Sequence, residues 1–341
     1  MKKFLKFLLM FVLVFVGFCL LVAFAFYRMN ENALGAMNTS AESVSNKIDT
    51  DQPFSILLLG ADTGADGRTD RGNSDTIMLV TVNPHKDKVS ICSIPRDTMA
   101  EIADQKSPNV QKINAAYNIG TSPVAKDTVS NLLNVPVDYT VAINMEALEK
   151  TVNFVGGIDV NSNMKVSYDG ITVPKGKSHL NGIEALTYSR MRYQDPNGDY
   201  GRQLRQQQIL EQIVGKLKQP QYLFRMPQLL KSLGPDVNTD LTSTQIAEIP
   251  IRYHSTDKNV SSEQMKEKTA WINGSSYQVA STSVLQNTSN KLRTSLNLPK
   301  ANLDNTETKL NLMNSDFFSE PNNTNYNTDG LDLTYYSDNT Y

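Results

Sequence analysis

An apolar run near the start of the chain places the tightest constraint on its topology. Phe7 to Phe26 is a run of twenty residues without a charged side chain. About 20 apolar residues are what a helix needs to cross a bilayer. The apolar part of a cleaved signal peptide, the alternative interpretation, is shorter, at roughly 7–15 residues. We therefore expect a transmembrane signal-anchor helix over residues 7–27, preceded by a short cytoplasmic segment at residues 1–6.

The charges beside this run predict its orientation. Lys2, Lys3 and Lys6 precede the run, and Arg28 follows it. Because positive residues concentrate on the cytoplasmic side, this pattern predicts a single-pass cell-membrane protein with a cytoplasmic N-terminus. The remainder is then extracellular. The formal net charge of −2 gives no reason to expect nucleic acid as a partner.

The rest of the chain predicts one extracellular domain. After a polar stalk at residues 28–52, short apolar segments alternate with helical patterns. This alternation predicts an α/β fold, a three-layer α-β-α domain with a mixed central sheet over residues 53–299. The two cysteines of the chain offer no extracellular disulfide, since Cys19 lies in the apolar run and Cys92 in a predicted strand. Residues 300–341 are rich in Asn, Thr, Ser and Asp, and we expect this tail to be disordered.

The segment from Leu186 to Leu210 holds four arginines within a short distance, Arg190, Arg192, Arg202 and Arg205. Its first part alternates like a strand, which would place Arg190 and Arg192 on one face.

A helix predicted from about Gly201 would place Arg202, Arg205 and Gln206 together in its first turn. Cations at a helix N-terminus oppose the helix dipole, so this arrangement favours a bound polyanion. The alternative is a solvated basic face on which the arginines pair with Asp195, Asp199 or Glu211.

Carboxylates mark the ends of the first three predicted strands. Asp62 follows the first strand and Asp75 begins the second, so the two could converge on a hard cation such as Mg²⁺. The alternative for each is a loop hydrogen bond or a helix cap. Arg96 and Asp97 follow the third strand, either as a structural ion pair or as an arginine held by its aspartate to face a ligand. Mg²⁺-binding carboxylates beside arginines are typical of phosphoryl transfer.

Several other enzyme classes lack their motifs in this sequence. The Gly60–Gly64 segment (GADTG) lacks the Lys-Ser/Thr pair of a phosphate-binding loop. The three histidines have no metal-ligand spacing, so we do not expect zinc. Cys92, in an apolar strand, is predicted to be a core residue and not a nucleophile.

Seven blocks in the correct order resemble the LytR–CpsA–Psr family. The match covers roughly residues 54–217, and its last block is the most specific. The blocks are Leu57–Asp62 (LLLGAD), Ser74–Leu79 (SDTIML), Ser93–Asp97 (SIPRD), Lys112–Asn114 (KIN), Leu180–Gly182 (LNG), Arg190–Arg192 (RMR) and Gly198–Gln207 (GDYGRQLRQQ).

This resemblance implies a membrane-anchored phosphotransferase. Members of the family move a glycopolymer (wall teichoic acid, capsular or related polysaccharide) from an undecaprenyl-pyrophosphate carrier to peptidoglycan, using Mg²⁺. By position, Asp62 and Asp75 resemble the metal ligands. By position, five residues resemble the pyrophosphate ligands of the family: Arg96, Arg190, Arg192, Arg202 and Gln206. To these we add Lys112 and Arg205, which also lie in the matched blocks, as residues expected to bind pyrophosphate. The residues expected to take part in catalysis are Asp75, Arg96, Asp97, Arg190 and Arg192, with either Asp75 or Asp97 as the proton acceptor.

One departure and two alternative functions accompany the resemblance. The family often has an arginine where this chain has Asn73, and we expect Arg71 or Arg68 to substitute for it. The same site could use water as the acceptor, which would make the protein a lipid-pyrophosphate hydrolase. A non-catalytic surface-anchored regulator, or transcriptional attenuator, is the third hypothesis.

Overall fold

The computed structural model describes residues 45–63, 72–103, 109–253 and 259–328. The predicted cytoplasmic segment, the transmembrane helix and most of the predicted stalk lie outside these residues. Within the part of the chain that is described, no helix is both long enough and apolar enough to span a bilayer.

The described residues form fourteen strands and ten α-helices. The strands are β1 (Phe54–Ala61), β2 (Ser74–Asn83), β3 (Lys88–Ser93), β4 (Met99–Glu101), β5 (Val110–Lys112), β6 (Tyr139–Ile143), β7 (Ile158–Ser162), β8 (Val166–Tyr168), β9 (Ile171–Val173), β10 (Gly176–Leu180), β11 (Val237–Thr239), β12 (Asn259–Gln264), β13 (Lys268–Ile272) and β14 (Ser275–Val279). The helices are α1 (Ala115–Leu133), α2 (Met145–Phe154), α3 (Gly182–Arg190), α4 (Gly198–Leu217), α5 (Pro220–Leu223), α6 (Met226–Leu233), α7 (Ser243–Arg252), α8 (Thr282–Ser295), α9 (Thr306–Met313) and α10 (Ser315–Ser319).

A six-stranded sheet in the order β11-β6-β1-β2-β3-β12 forms the centre of the domain. Strand β1 pairs antiparallel with β2 and parallel with β6. Strand β3 pairs antiparallel with β2 and parallel with β12. The prediction of a mixed central sheet is therefore confirmed.

Helices cover both faces of this sheet. On one face, Leu57, Leu59 and Leu79 pack with buried residues of α1 and α8. Because successive side chains of a strand point to opposite faces, Ile56 and Leu58 lie on the other face, where residues of α4 and α7 contact the sheet. The domain thus has the three predicted layers. Cys92 is buried, as expected, in the core between the sheet and helices α1 and α8.

Helix α1 is kinked in front of Pro123. Its helical structure begins at Ala115, but Gly120 and Thr121 have non-helical dihedral angles. The kink accommodates Pro123, which cannot donate a hydrogen bond within a continuous helix.

The prediction of a disordered tail from residue 300 is wrong for residues 301–328. Helices α9 and α10 and the segment after them pack against the β13–β14 hairpin through Leu310, Phe317 and Tyr326, each at most 5% exposed. Although few, these large apolar side chains are spaced to face an existing core. Residues 329–341 lie outside the described residues.

The predicted stalk also ends too late. Ile48 is fully buried, its backbone N–H lies 3.4 Å from the Tyr139 hydroxyl, and Tyr253 donates to its carbonyl at 3.2 Å. Residues 45–52 therefore belong to the folded domain. Residues 28–44 of the predicted stalk lie outside the described part of the chain.

Candidate active site

A cavity of about 490 Å³ lies between one face of the sheet and helices α2, α3 and α4. Its interior is apolar, because the strands contribute Leu58, Met78 and Val141 and α4 contributes Ile209 and Ile213. The residues at the strand and helix ends that line the same cavity are polar or charged, namely Asp62, Asp75, Arg96, Arg190, Arg192, Arg202 and Gln206. An apolar cavity bordered by these groups suits a ligand with an apolar tail and an anionic head.

The antiparallel pairing of β1 with β2 brings Asp62 and Asp75 to the same cavity. Asp62 follows the last residue of β1, and its backbone N–H donates to the Asn73 carbonyl at 3.0 Å, which closes the base of the intervening loop. Asp75 is the second residue of β2. The predicted convergence of the two carboxylates on one site is consistent with this placement.

Asp75 lies between two arginines from different elements. Its Oδ2 atom forms a close ion pair with Nη1 of Arg96 and lies 3.8 Å from Nη1 of Arg202. Arg202 also contacts Asp199 Oδ1 through Nη2 at 2.6 Å. Residues from the third strand end, the second strand and α4 are thereby joined through a single carboxylate.

The two arginines have opposite pKa shifts. Burial alone would lower the pKa of Arg96, but the charges of Asp75 and Asp97 outweigh burial, so its pKa is raised. For Arg202 burial dominates and lowers the pKa, Asp199 opposes this shift, and the nearby Arg96 charge lowers the pKa further. Two crowded, partly desolvated guanidinium groups gain from a bound anion, and forked N–H donors match phosphate oxygens.

Asp97 and Lys112 lie behind Arg96 and are not among the cavity-lining residues. Asp97 Oδ2 is 3.7 Å from Arg96 Nε, and Asp97 Oδ1 is 3.6 Å from Lys112 Nζ. Lys112 Nζ also lies 5.5 Å from the centre of the Tyr277 ring. Asp97 therefore fits the second of its two predicted roles, an aspartate that holds an arginine toward the ligand. The assignment of Lys112 as a direct pyrophosphate ligand does not fit its placement.

The predicted strand around Arg190 and Arg192 is wrong. Asn181 and Glu184 form a capping box that starts helix α3, and the helix continues to Arg190. All residues from Ala185 to Ser189 are buried in this helix, so the alternation of apolar and polar side chains does not correspond to alternating burial. Arg190, the last helical residue, and Arg192, in the extended segment that follows, nevertheless both line the cavity.

Two tyrosines that sequence reasoning missed accompany these arginines. The Arg190 guanidinium lies 5.2 Å from the centre of the Tyr168 ring, and the Arg192 guanidinium lies 4.7 Å from that of Tyr193. Both rings line the cavity, and Tyr193 is 87% exposed. Tyr193 is adjacent to Arg192 in sequence, whereas nothing local to Tyr168 indicates its place at the site.

Arg205 is not among the residues that line the cavity, so the prediction that it binds pyrophosphate is wrong. Its side chain donates to the carbonyls of Tyr188 and Met191 and forms a buried ion pair with Asp195. This matches the alternative interpretation, in which an arginine pairs with Asp195. Through these hydrogen bonds, Arg205 instead connects the segment that carries Arg190 and Arg192 to helix α4.

Helix α4 begins at Gly198, three residues before the predicted start, so Arg202 and Gln206 lie beyond its first turn. Both line the cavity, as predicted, and Gln206 Nε2 lies 3.4 Å from the Ser189 carbonyl. Gly201 is required by close packing, because a Cβ atom there would lie 2.0 Å from Asp195 Oδ2.

The donor set at the cavity fits Mg²⁺ in one respect. Within the described residues, no three His, Cys, Asp or Glu side chains are grouped to hold a metal ion by themselves. Mg²⁺ in phosphoryl-transfer sites usually takes one or two carboxylates together with substrate phosphates and water. Asp62 and Asp75 would supply such a pair of carboxylates. Asn73 has a buried side-chain oxygen without a hydrogen-bond partner, while Arg68 and Arg71 lie outside the described residues.

The fold and the site define a class of α-β-α proteins with an apolar cavity on one face of the sheet, bordered by arginines and aspartates. The family pattern described as LytR_cpsA_psr matches residues 23–294, and the chain belongs to that family. The resemblance that we drew from the seven sequence blocks is therefore confirmed.

Similar proteins have names that concern teichoic acid. The polyisoprenyl-teichoic acid–peptidoglycan teichoic acid transferase TagU of Enterococcus faecalis is 41% identical over 246 residues, which cover 72% of this chain and 80% of the relative. The crystal structure of protein gbs0355 from Streptococcus agalactiae has a TM-score of 0.72 at 33% identity and covers 78% of this chain and 95% of that one. A structure of TagT bound to LIIa-WTA has a TM-score of 0.63 at 26% identity, with 77% and 96% coverage.

Proposed function

We propose that this protein transfers a glycopolymer, wall teichoic acid or a related polysaccharide, from an undecaprenyl-pyrophosphate carrier to peptidoglycan. The observation that carries the proposal is the apolar cavity lined at one end by Arg96, Arg190, Arg192 and Arg202. The names of the similar transferases support the same substrate class.

The cavity offers different surfaces to the lipid chain and to the pyrophosphate of the carrier. The sheet side chains Leu58 and Val141, together with Ile209 of α4, offer apolar contacts to a polyprenyl chain. The four arginines offer forked, charge-assisted hydrogen bonds to the pyrophosphate oxygens. The carrier would thus bind with its reacting phosphorus beside Asp75.

In the proposed reaction, a hydroxyl oxygen of peptidoglycan attacks the phosphorus that carries the sugar. A new P–O bond to the acceptor forms while the P–O bond to the lipid phosphate breaks, so undecaprenyl phosphate leaves. Charge builds on the phosphoryl oxygens in the transition state, where Arg96 and Arg202 stabilise it. Of the two carboxylates considered as acceptors of the hydroxyl proton, Asp75 lines the cavity and Asp97 does not, so we assign this role to Asp75.

We further propose that Asp62 and Asp75 hold Mg²⁺. When bound, the ion would supply charge neutralisation for the pyrophosphate. Asp75 would retain its contacts with the arginines on the other side of its carboxylate, as two oxygens offer several acceptor positions.

The proposed location is the cell membrane, with the N-terminus in the cytoplasm and the catalytic domain outside. The twenty-residue apolar run from Phe7 to Phe26 supports this location. A lipid-linked donor lies in the membrane, so an anchored enzyme meets it at high local concentration.

The full-length protein in nanodiscs tests the proposal. It would be incubated with a polyprenyl-pyrophosphate-linked saccharide, a peptidoglycan oligomer and Mg²⁺, and the products analysed by mass spectrometry. We expect a saccharide joined to the glycan through a phosphodiester, and loss of this product when EDTA is added, with recovery on restoring Mg²⁺. Arg192→Ala should lower the rate about 10²–10³-fold, as expected for a donor aimed at developing charge.

Arg225→Ala provides the matched control, because Arg225 is exposed, stacks on Phe154 and is not among the cavity-lining residues. It should transfer at the wild-type rate. Free saccharide phosphate as the sole product would show that the protein is a hydrolase and not a transferase. Tight binding of the lipid without any turnover would favour the regulator instead.

A further inference from the structure

A glutamate outside the cavity links the two elements that carry Arg96 and Arg202. Glu267 lies in the segment between β12 and β13, and its carboxyl group points inward. Both of its carboxyl oxygens lie 2.9 Å from the hydroxyl oxygen of Thr98, which follows Arg96 and Asp97 in the chain.

The contacts of Thr98 bear on the protonation state of Glu267. The Thr98 Oγ1 atom also lies 2.6 Å from the Pro95 carbonyl oxygen, which can only accept a hydrogen bond. A hydroxyl group has a single proton to donate. Because the contact with Pro95 is shorter than the contacts with Glu267, we assign the hydroxyl proton to Pro95, and Glu267 then donates to Thr98 as an uncharged carboxylic acid.

The surroundings of Glu267 agree with an uncharged group. Burial is the largest cause that raises its pKa well above the ordinary value; a hydrogen bond donated by Thr98 to the ionised group would oppose this, and the charges of Asp97 and Asp199 raise the pKa further. Tyr200, whose pKa burial raises to about 12, is neutral as well. The cations nearby are engaged elsewhere, with Lys112 at Asp97 and Lys266 over the Tyr200 ring at 4.4 Å.

The backbone of Glu267 contacts the start of helix α4. Its N–H donates to the Tyr200 hydroxyl oxygen at 2.9 Å, and Gln264 Nε2 donates to the Tyr200 carbonyl at 2.8 Å. Tyr200 lies in the first turn of α4, directly after Asp199, which pairs with Arg202. Residues 264–267 therefore join the loop of Arg96 to the helix of Arg202.

We propose that Glu267 is a positioning residue of the transferase, an uncharged acid that holds residues 95–98 against the first turn of α4 and thereby fixes the separation of Arg96 and Arg202. The inference rests on the function proposed above. Both arginines contact Asp75, so a shift of either element would alter the geometry offered to the pyrophosphate. A displacement of about 1 Å at such a site can cost roughly 10²-fold in rate.

The charge state matters as much as the contact. An ionised Glu267 could only accept from the Thr98 hydroxyl, whose single proton would then leave the Pro95 carbonyl, and it would place a third carboxylate beside Asp97 and Asp199. Like charges at this distance repel, and the added negative charge would weaken the attraction of the arginines for a polyanion.

Glu267→Gln and Glu267→Ala separate the proposal from a general packing role. The glutamine amide can donate to Thr98 as the acid does, so Glu267→Gln should keep the wild-type kcat at neutral pH. Glu267→Ala should lower kcat about 10–100-fold, with little change in KM for the acceptor. The wild type should lose kcat as the pH rises and Glu267 ionises, and Glu267→Gln should lack that loss. Glu263→Gln is the matched control, since Glu263 forms its ion pair with the exposed Lys291.

Two kinetic results would overturn the proposal, a Glu267→Gln variant as impaired as Glu267→Ala, or one that loses kcat with rising pH as the wild type does. A second measurement does not depend on catalysis. Because the pKa of Glu267 is higher in the folded than in the unfolded protein, wild-type stability should fall as pH rises above about 4.5, and the fall should be smaller in Glu267→Gln. Parallel pH profiles would refute the uncharged acid, whereas absence of turnover in the wild type would refute the proposed function alone.

Discussion

Replacing Arg205 with alanine should destabilise the domain, because it leaves a buried carboxylate without its partner. The side chains of Arg205 and Asp195 are 4% and 1% exposed. Arg205 also donates to the carbonyls of Tyr188 and Met191, which hold the end of α3 and the segment after it. The substitution therefore removes one ion pair and two hydrogen bonds from the interior.

The expected magnitude follows from the burial of the pair. Removing one partner of a buried ion pair typically costs about 3–5 kcal/mol, because the remaining charge is desolvated and uncompensated. For a domain of 150–250 residues, 1 kcal/mol changes Tm by about 2–4 °C, so we expect a fall of roughly 6–20 °C. The loss should be similar in chemical denaturation, with a lower midpoint and an unchanged m value.

A double-mutant cycle with Asp195→Ala isolates the pair, and the two substitutions should couple by about 0.5–3 kcal/mol. Arg192→Ala is the matched control. Arg192 lies at the cavity, and its described contacts are with Tyr193, so stability should change by no more than about 0.5 kcal/mol. If Arg205→Ala kept wild-type stability and lost binding of the lipid pyrophosphate, our structural role for Arg205 would be refuted and the ligand role restored.

Two further predictions concern the C-terminal segment. Leu310→Ala should cost about 2–5 kcal/mol in denaturant unfolding, since Leu310 is fully buried, whereas Leu312→Ala in the same helix, at a position 80% exposed, should cost less than about 0.5 kcal/mol; equal effects would show that α9 does not pack on the hairpin. Burial raises the pKa of Glu307 from 4.5 to about 7, so the unfolded chain releases this proton first and wild-type stability should decline by up to roughly 3 kcal/mol between those pH values. Glu307→Gln should make that decline smaller, and an unchanged pH dependence would contradict the assigned burial.

Much of the site was predictable because its residues follow strand ends. Asp62, Asp75 and Arg96 each border an apolar strand, and the fold of an α/β sheet brings such ends together. The roles of individual arginines were not predictable. Arg202 and Arg205 lie three residues apart in α4 and each precedes a glutamine, but only Arg202 is among the residues that line the cavity.

The errors share one physical cause, which is that local patterns do not identify the partner of a side chain. The alternation before Arg192 resembled a strand until the capping box of Asn181 and Glu184 made the segment helical. The polar tail was predicted to be disordered, but Leu310 and Phe317 find an apolar surface on the β13–β14 hairpin.

The sequence by itself determined the alternation of strands and helices, the cationic and acidic composition of the site and the family, because these depend on residue type and spacing. Only the tertiary structure decided that Arg205 is buried and connects helices α3 and α4, and that Asp97 and Lys112 lie behind Arg96. It also decided that Glu267 links residues 95–98 to the first turn of α4. Such assignments depend on distances between residues far apart in the chain. Burial and charge pairing, which set the energy of each group, exist only once those segments have met.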